Sequence, residues 1–295
     1  MQQGDGLVNT TRSTAPPDTV VLIHGLWLTP LAWEHWVPRY EERGFRVLTP
    51  GYPGVEGGTS GVSSLRADPA CLVNVGVRDV LDHLTDVVSG LVTQPILMGH
   101  SFGGALVQLL VDAGLGAAGI SIHGAGVDGV SPAAQAEIGA SLPVLKDPAN
   151  RHRGVLLTPE EFHAAFANTL SQEASSAAHD RYAVPVSGRI LVEAGFADLT
   201  PHAATTYNFA NDDRAPLLFI SGSSDQILPP AVQRESYDRN ASQSSAITAY
   251  RLYSDRDHYT CGEPGWEAVA DFALGWALDP IPGVIEERER QRIGG

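Results

Sequence analysis

The chain has 295 residues, 43% of them hydrophobic, enough for one large α/β domain or two small ones with a substantial core. Nineteen lysines and arginines face 34 aspartates and glutamates, a formal charge of −15, which argues against nucleic acid and against an anionic membrane surface as partners. No segment has the length and apolarity of a transmembrane helix, and the two cysteines, Cys71 and Cys261, form neither a disulfide framework nor a zinc-ligand spacing. Residues 1–18 are polar, without the basic start and apolar core of a signal peptide, so they read as a flexible leader and the expected compartment is the cytoplasm. A β-branched run over 19–24 predicts a buried strand ending at His24-Gly25. A helix follows over 32–44, bent by Pro38 and closed by Gly44, then a strand over 45–50 and a Gly/Ser/Pro-rich loop over 51–69. Helical spacing covers 73–91. Strand 96–99, helix 102–113 and strand 117–123 come next.

From 129 to 213 the rhythm changes to helical stretches, such as 159–170 and 171–182, with no strand predicted. It resumes with strand 216–221, helix 229–238, strand 247–253 and helix 265–278. The tail, 281–295, is charged from Glu286 to Arg292 and reads as a solvated helix end. Alternating strands and helices predict an α/β fold with a mostly parallel central sheet flanked by helices. Its core is expected to comprise 19–128 and 214–280. The helical insertion 129–213 falls above the carboxyl ends of the strands, where open α/β sheets bind ligands, and is expected to form a lid.

The chemistry is concentrated at Gly99-His100-Ser101-Phe102-Gly103-Gly104, between a predicted strand and a predicted helix. This is G-x-S-x-G in the strand–turn–helix setting of a nucleophile elbow. A turn that tight needs small neighbours, and it leaves the serine hydroxyl at a helix N-terminus, where amides and dipole favour developing negative charge. Ser101 is therefore the candidate nucleophile. It requires a base, and of the ten histidines His258 alone lies just beyond the last strand and before the last helix. No metal-binding H-E-x-x-H and no Gly-rich phosphate loop is present, so neither metal nor cofactor is expected.

Four segments, His24-Gly25, Gly99 to Gly104, Gly222-Ser223-Ser224-Asp225-Gln226-Ile227-Leu228-Pro229 and Asp257-His258-Tyr259, resemble the α/β-hydrolase superfamily in order and spacing over about 19–279. The likeness is to the serine-nucleophile branch of small-molecule esterases and cofactor-free haloperoxidase-like enzymes. It implies a triad of Ser101, Asp225 and His258, with Asp128 as the rival acid and Asp255 and Asp257 too close to His258 along the chain. It also implies an oxyanion hole from the backbone amides of Leu26 and Phe102, with Trp27 as the alternative to Leu26. Trp27 and Trp33 are candidates to line an acyl pocket or to pack under the lid, and Phe162 and Phe166 are candidates for the pocket from the lid side. The implied reaction is hydrolysis of a small or medium carboxylic ester or lactone through an acyl-enzyme. The same triad serves perhydrolysis, amide or carbon–carbon hydrolysis, or hydroxynitrile lysis, and a binding protein without turnover is the reading from another class. The sequence leaves the oligomeric state open.

Overall fold

The computed structural model describes residues 15–55, 57–130, 148–195 and 204–285. Among these, nine strands form in chain order: β1 (Thr19–Ile23), β2 (Arg46–Leu48), β3 (Ile96–His100), β4 (Ala118–Ile122), β5 (Gly154–Val155), β6 (Val186–Ser187), β7 (Leu217–Gly222), β8 (Thr248–Tyr253) and β9 (Gly283–Val284). Seven make one parallel sheet in the order β2-β1-β3-β4-β7-β8-β9, and β5 pairs antiparallel with β6. The strand order reverses between β1 and β3. Chain leaving β1 runs toward β2 and chain leaving β3 runs toward β4, so a crevice opens at their carboxyl ends, the usual ligand position in such sheets.

The helices are α1 (Trp36–Glu41), α2 (Gly58–Ala67), α3 (Val77–Ser89), α4 (Phe102–Asp112), α5 (Pro159–Glu161), α6 (Gln172–Tyr182), α7 (Gly188–Gly195), α8 (Pro230–Gln243) and α9 (Trp266–Leu278). Each central strand buries both faces because successive side chains alternate. Val20, Leu22, Ile96, Met98, Ile120 and Leu218 pack with Trp33, α1 and α9 on one side. Val21, Ile23, Leu97, Leu217 and Phe219 pack with α3, α4 and α8 on the other. Helix α4 is buried from Phe102 through Val111, which is why its sequence is apolar all round, whereas α3 buries the stripe Val77, Val80, Leu84 and Val88. Each fully buried aliphatic side chain contributes about 1.5–3 kcal/mol.

Several elements differ from the sequence expectation. The helix expected over 32–44 divides into a 3-10 turn, Pro30–Trp33, and α1. Pro38 lies in the first turn of α1, where its missing amide leaves no helical bond unmade. The expected loop 51–69 contains α2, and α7 is a further helix within the span expected to be helical. The segment where no strand was expected holds β5 and β6, two residues each and too short for any periodicity to register. The helix expected over 159–170 is one turn, α5, capped by Thr158 and Glu161, followed by a π turn, Phe162–Phe166, in which the Ala167 amide donates to the Phe162 carbonyl at 3.0 Å. Within the expected tail 281–295, Gly283 and Val284 extend the sheet as β9. The charged stretch 286–292 lies outside the described residues.

Candidate active site

β3 delivers Ser101 through a backbone kink. Its φ of 56° and ψ of −123° are a conformation that a residue with a side chain adopts only under strain. The kink is held because the Ser101 amide donates to the Ile122 carbonyl at 3.0 Å, while the Ser101 carbonyl accepts from the amides of Gly104 and Ala125, both at 2.9 Å. It also needs Gly99 beneath it: a Cβ there would lie 2.0 Å from the Gly103 carbonyl oxygen.

The loop after β8 brings His258 to this serine. The Ser101 hydroxyl donates to His258 Nε2 at 2.9 Å, and His258 Nδ1–H donates to Asp225 Oδ2 at 2.8 Å. Asp225 follows β7, and its other oxygen, Oδ1, accepts from the amides of Ile227 and Leu228 at 2.9 and 2.8 Å. All three side chains are buried. Burial alone pushes the Asp225 carboxyl up. The adjacent imidazole of His258 and the hydrogen bonds from His123 and His258 outweigh this and hold it well below the usual carboxylate range. The other acids lie elsewhere: Asp128 accepts from the Thr206 hydroxyl at 3.4 Å, Asp255 is tied through its amide to the Ser223 hydroxyl, and Asp257 faces Thr169 and the Tyr259 amide.

The loop leaving β1 lies beside the serine. A Cβ placed on Gly25 would fall 2.7 Å from Ser101 Cβ. Among the described residues, no acceptor pairs with the backbone amide of Leu26 or of Phe102, so both remain free to receive an oxyanion. Trp27, at φ 61°, is fastened on both sides: its indole donates to the Val155 carbonyl at 3.1 Å and its carbonyl accepts from the Val184 amide at 3.0 Å. Phe166 sets its ring edge-on to His258, centroids 4.7 Å apart, and Phe162 stacks on Phe166 at 4.7 Å. Trp33 is on the opposite face of the sheet, fully buried with Trp36 and Tyr40, and does not line the site. Cys261 belongs to that same core.

An apolar cavity opens from the β1 loop, lined by Leu26, Trp27, Leu28, Tyr52, Val184 and Ile190 among others. His24 is part of its wall. Burial pushes that imidazole down to about 4, so it is neutral near pH 7. Among the described residues, the cluster of potential metal-ligand atoms is His123, Asp225 and His258, all within 4.8 Å, and the hydrogen bonds to Asp225 already occupy it.

Four polar contributors were not singled out from the sequence. His123 Nδ1–H donates to Asp225 Oδ2 at 3.0 Å. His100 Nε2–H donates to the His258 carbonyl at 2.7 Å, bracing the loop of the base. Asn168 donates to the Ser224 carbonyl at 3.1 Å, and Thr169 donates to Asp257 through amide and hydroxyl, at 2.9 and 2.7 Å. One signal existed. β1, β3 and β4 each run out into a histidine, at 24, 100 and 123, at the carboxyl edge of a buried apolar strand.

The sequence profile of the alpha/beta hydrolase family matches residues 20–272, and the chain belongs to that family. Solved structures sharing its fold include a pyrethroid hydrolase from Sphingobium faniae JZ-2, 22% identical over 89% of this chain and 98% of that one, with a TM-score of 0.59. A monoacylglycerol lipase from Paleococcus ferrophilus is 17% identical, covering 89% of this chain and 95% of that one at TM-score 0.58. An extracellular alpha/beta-hydrolase from a Paenibacillus species is 22% identical, covering 88% and 98% at TM-score 0.60. No curated protein sequence matches the chain. At these identities the likeness speaks for the fold, and function has to be argued from the site.

Proposed function

We propose that the chain is a serine hydrolase that cleaves a small or medium uncharged carboxylic ester or lactone through an acyl-enzyme. The observation that carries this is the unbroken hydrogen-bond chain from Ser101 Oγ through His258 to Asp225. In the first half-reaction Ser101 Oγ attacks the carbonyl carbon as His258 Nε2 takes its proton, and Asp225 stabilises the imidazolium. The carbonyl oxygen becomes an oxyanion received by the amides of Leu26 and Phe102. The tetrahedral intermediate collapses as His258 gives its proton to the leaving alkoxide, releasing the alcohol. Water then repeats the sequence: His258 takes its proton, hydroxide adds to the acyl carbon, and the proton returns to Ser101 as the acid departs.

The ester reading is supported by the apolar lining of the adjoining cavity and by the neutral state of His24 in its wall, a surface suited to an uncharged group. The pyrethroid hydrolase and the monoacylglycerol lipase among the structural neighbours agree with it by name. Residues between β4 and β7 act in this reading as a lid. They touch the loops after β1, β7 and β8 through Val155, Val184, Asn168 and Thr169. With Ser101 only 6% exposed, substrate reaches it when that cover moves.

The test is covalent labelling with a fluorophosphonate, read by intact mass and peptide mapping. A single adduct on Ser101 that disappears in His258→Ala is expected. A folded protein that takes no adduct would overturn the assignment.

A further inference from the structure

Two histidines converge on one oxygen of Asp225. His258 Nδ1 lies 2.8 Å from Oδ2 and His123 Nδ1 lies 3.0 Å from the same atom. Both must be donors, because an ionised carboxylate only accepts. The carboxylate thus receives four hydrogen bonds in a dry site: two imidazole N–H groups on Oδ2 and the Ile227 and Leu228 amides on Oδ1. The His123 ring has been given its place deliberately. It sits just past β4 at a φ of 46°, strained for a residue with a side chain, and is 1% exposed. Its Cε1 faces Gly222 at the end of β7, where a Cβ would come within 2.3 Å of it. Its other nitrogen, Nε2, is buried without a partner, so the ring's polar contact is spent wholly on Asp225.

We propose that His123 is a positioning residue that fixes the Asp225 carboxylate and moderates its pull on His258. This rests on the serine-hydrolase reading above. A carboxylate that accepts from a second donor is a weaker acceptor for the first, so the His258 imidazolium gains less from Asp225 than it would from an unshared acid. The titratable side chains around His258 are Asp225, His123 and His100, with Asp257 and Tyr259 flanking it in the chain. The His100 proton faces the His258 carbonyl, and Asp257 is turned to Thr169 and the Tyr259 amide. His100 is buried, which pushes its imidazole well below the ordinary range and leaves it neutral, so His123 is the donor that shares the acid.

The experiment is the pH dependence of the fluorophosphonate labelling rate in wild type, His123→Leu and His123→Asn, with thermal unfolding as the control for folding. His123→Leu is expected to move the acid limb up by about 0.5–1 pH unit, the size of one neutral hydrogen bond. His123→Asn, whose side-chain amide N–H stands where Nδ1–H stood, is expected to bring the limb most of the way back. A folded His123→Leu variant whose limb coincides with wild type overturns the proposal, since a purely structural histidine has no reason to move it. Imidazole 15N spectra of the wild type give a second measurement that needs neither a stable variant nor activity. His123 is expected as the Nδ1–H tautomer and His100 as the Nε2–H tautomer. An Nε2–H tautomer at His123 also overturns the proposal. If Ser101 takes no label while the tautomers are as stated, it is the hydrolase reading that has failed.

Discussion

The half of the site that carries Asp225 and His258 is built differently from the half that carries Leu26 and Trp27. The first is assembled from strand ends: loops after β4, β7 and β8 meet through side-chain hydrogen bonds among buried groups, and each polar atom of Asp225 is engaged. The second is one loop after β1, held from above by two hydrogen bonds between Trp27 and the segment that carries β5 and β6. Proton transfer tolerates little misplacement, so its groups belong on the rigid sheet. The segment above that loop is tied to the rest of the molecule by polar contacts at its surface, among them Arg66 to the Ala183 carbonyl, Arg181 to Glu34 and Ser187 to the Val75 carbonyl.

That contrast can be broken or sharpened by substitution. The largest effect is expected at the fixed half. Ser101→Ala should lower turnover of p-nitrophenyl esters by about 10⁴-fold or more, and Asp225→Asn by about 10³–10⁴-fold, with little change in unfolding midpoint. Thr169→Val addresses the seam between the halves. It removes the hydroxyl that meets Asp257 at 2.7 Å while keeping shape and amide. A loss of about 1–2 kcal/mol in urea unfolding is expected, with turnover lowered less than tenfold.

Glu263 lies on the same seam. The Thr169 hydroxyl is 3.1 Å from its Oε2 and has one proton, which serves Asp257 at the shorter distance. Burial, with Asp257 beside it, pushes the Glu263 carboxyl from its ordinary 4.5 up to about 7. The native state then holds a proton that the unfolded chain has lost between those values. Stability from this group therefore falls as pH rises through that window and is level above it. Unfolding free energies from urea titrations at pH 5 and pH 8 should differ less in Glu263→Gln than in wild type, by about 1–3 kcal/mol. An unchanged pH dependence would show that Glu263 is ionised throughout. The smallest effect is expected from Trp27→Phe, which deletes the indole bond to Val155: about 1 kcal/mol of stability, and labelling of Ser101 made faster if that bond restrains the cover.

The sequence exposed the parts whose chemistry is written in adjacent residues. The elbow is legible because its kink demands glycines within two positions of Ser101. Asp225 and His258 are legible because each follows a strand whose apolar run is long enough to see. The partners of Asp225 are another matter. His123 has no motif around it, and its meeting with an acid 102 residues away is created by β4 and β7 lying side by side. The seam at Thr169 and the strands β5, β6 and β9 were hidden for a related reason. They are two-residue or single-residue contacts fixed by tertiary packing, too short for local pattern to register. Trp33 shows the converse: an aromatic residue near the oxyanion loop in sequence went to the far face of the sheet, because the 3-10 turn after Thr29 carries the chain away from the site.

The tryptophans are divided in the same way. Of five in the chain, Trp33, Trp36, Trp266 and Trp276 gather against the core formed with α1 and α9, and Trp27 alone is packed on the other side, at the cavity wall. The protein therefore carries two separate optical channels. Emission from the four gathered indoles reports whether the far core is intact, and the difference between wild type and Trp27→Phe isolates a single fluorophore at the mouth of the β1 loop. Quenching of that difference signal by an uncharged ester or its acid product would time the arrival and departure of ligand without any dye attached.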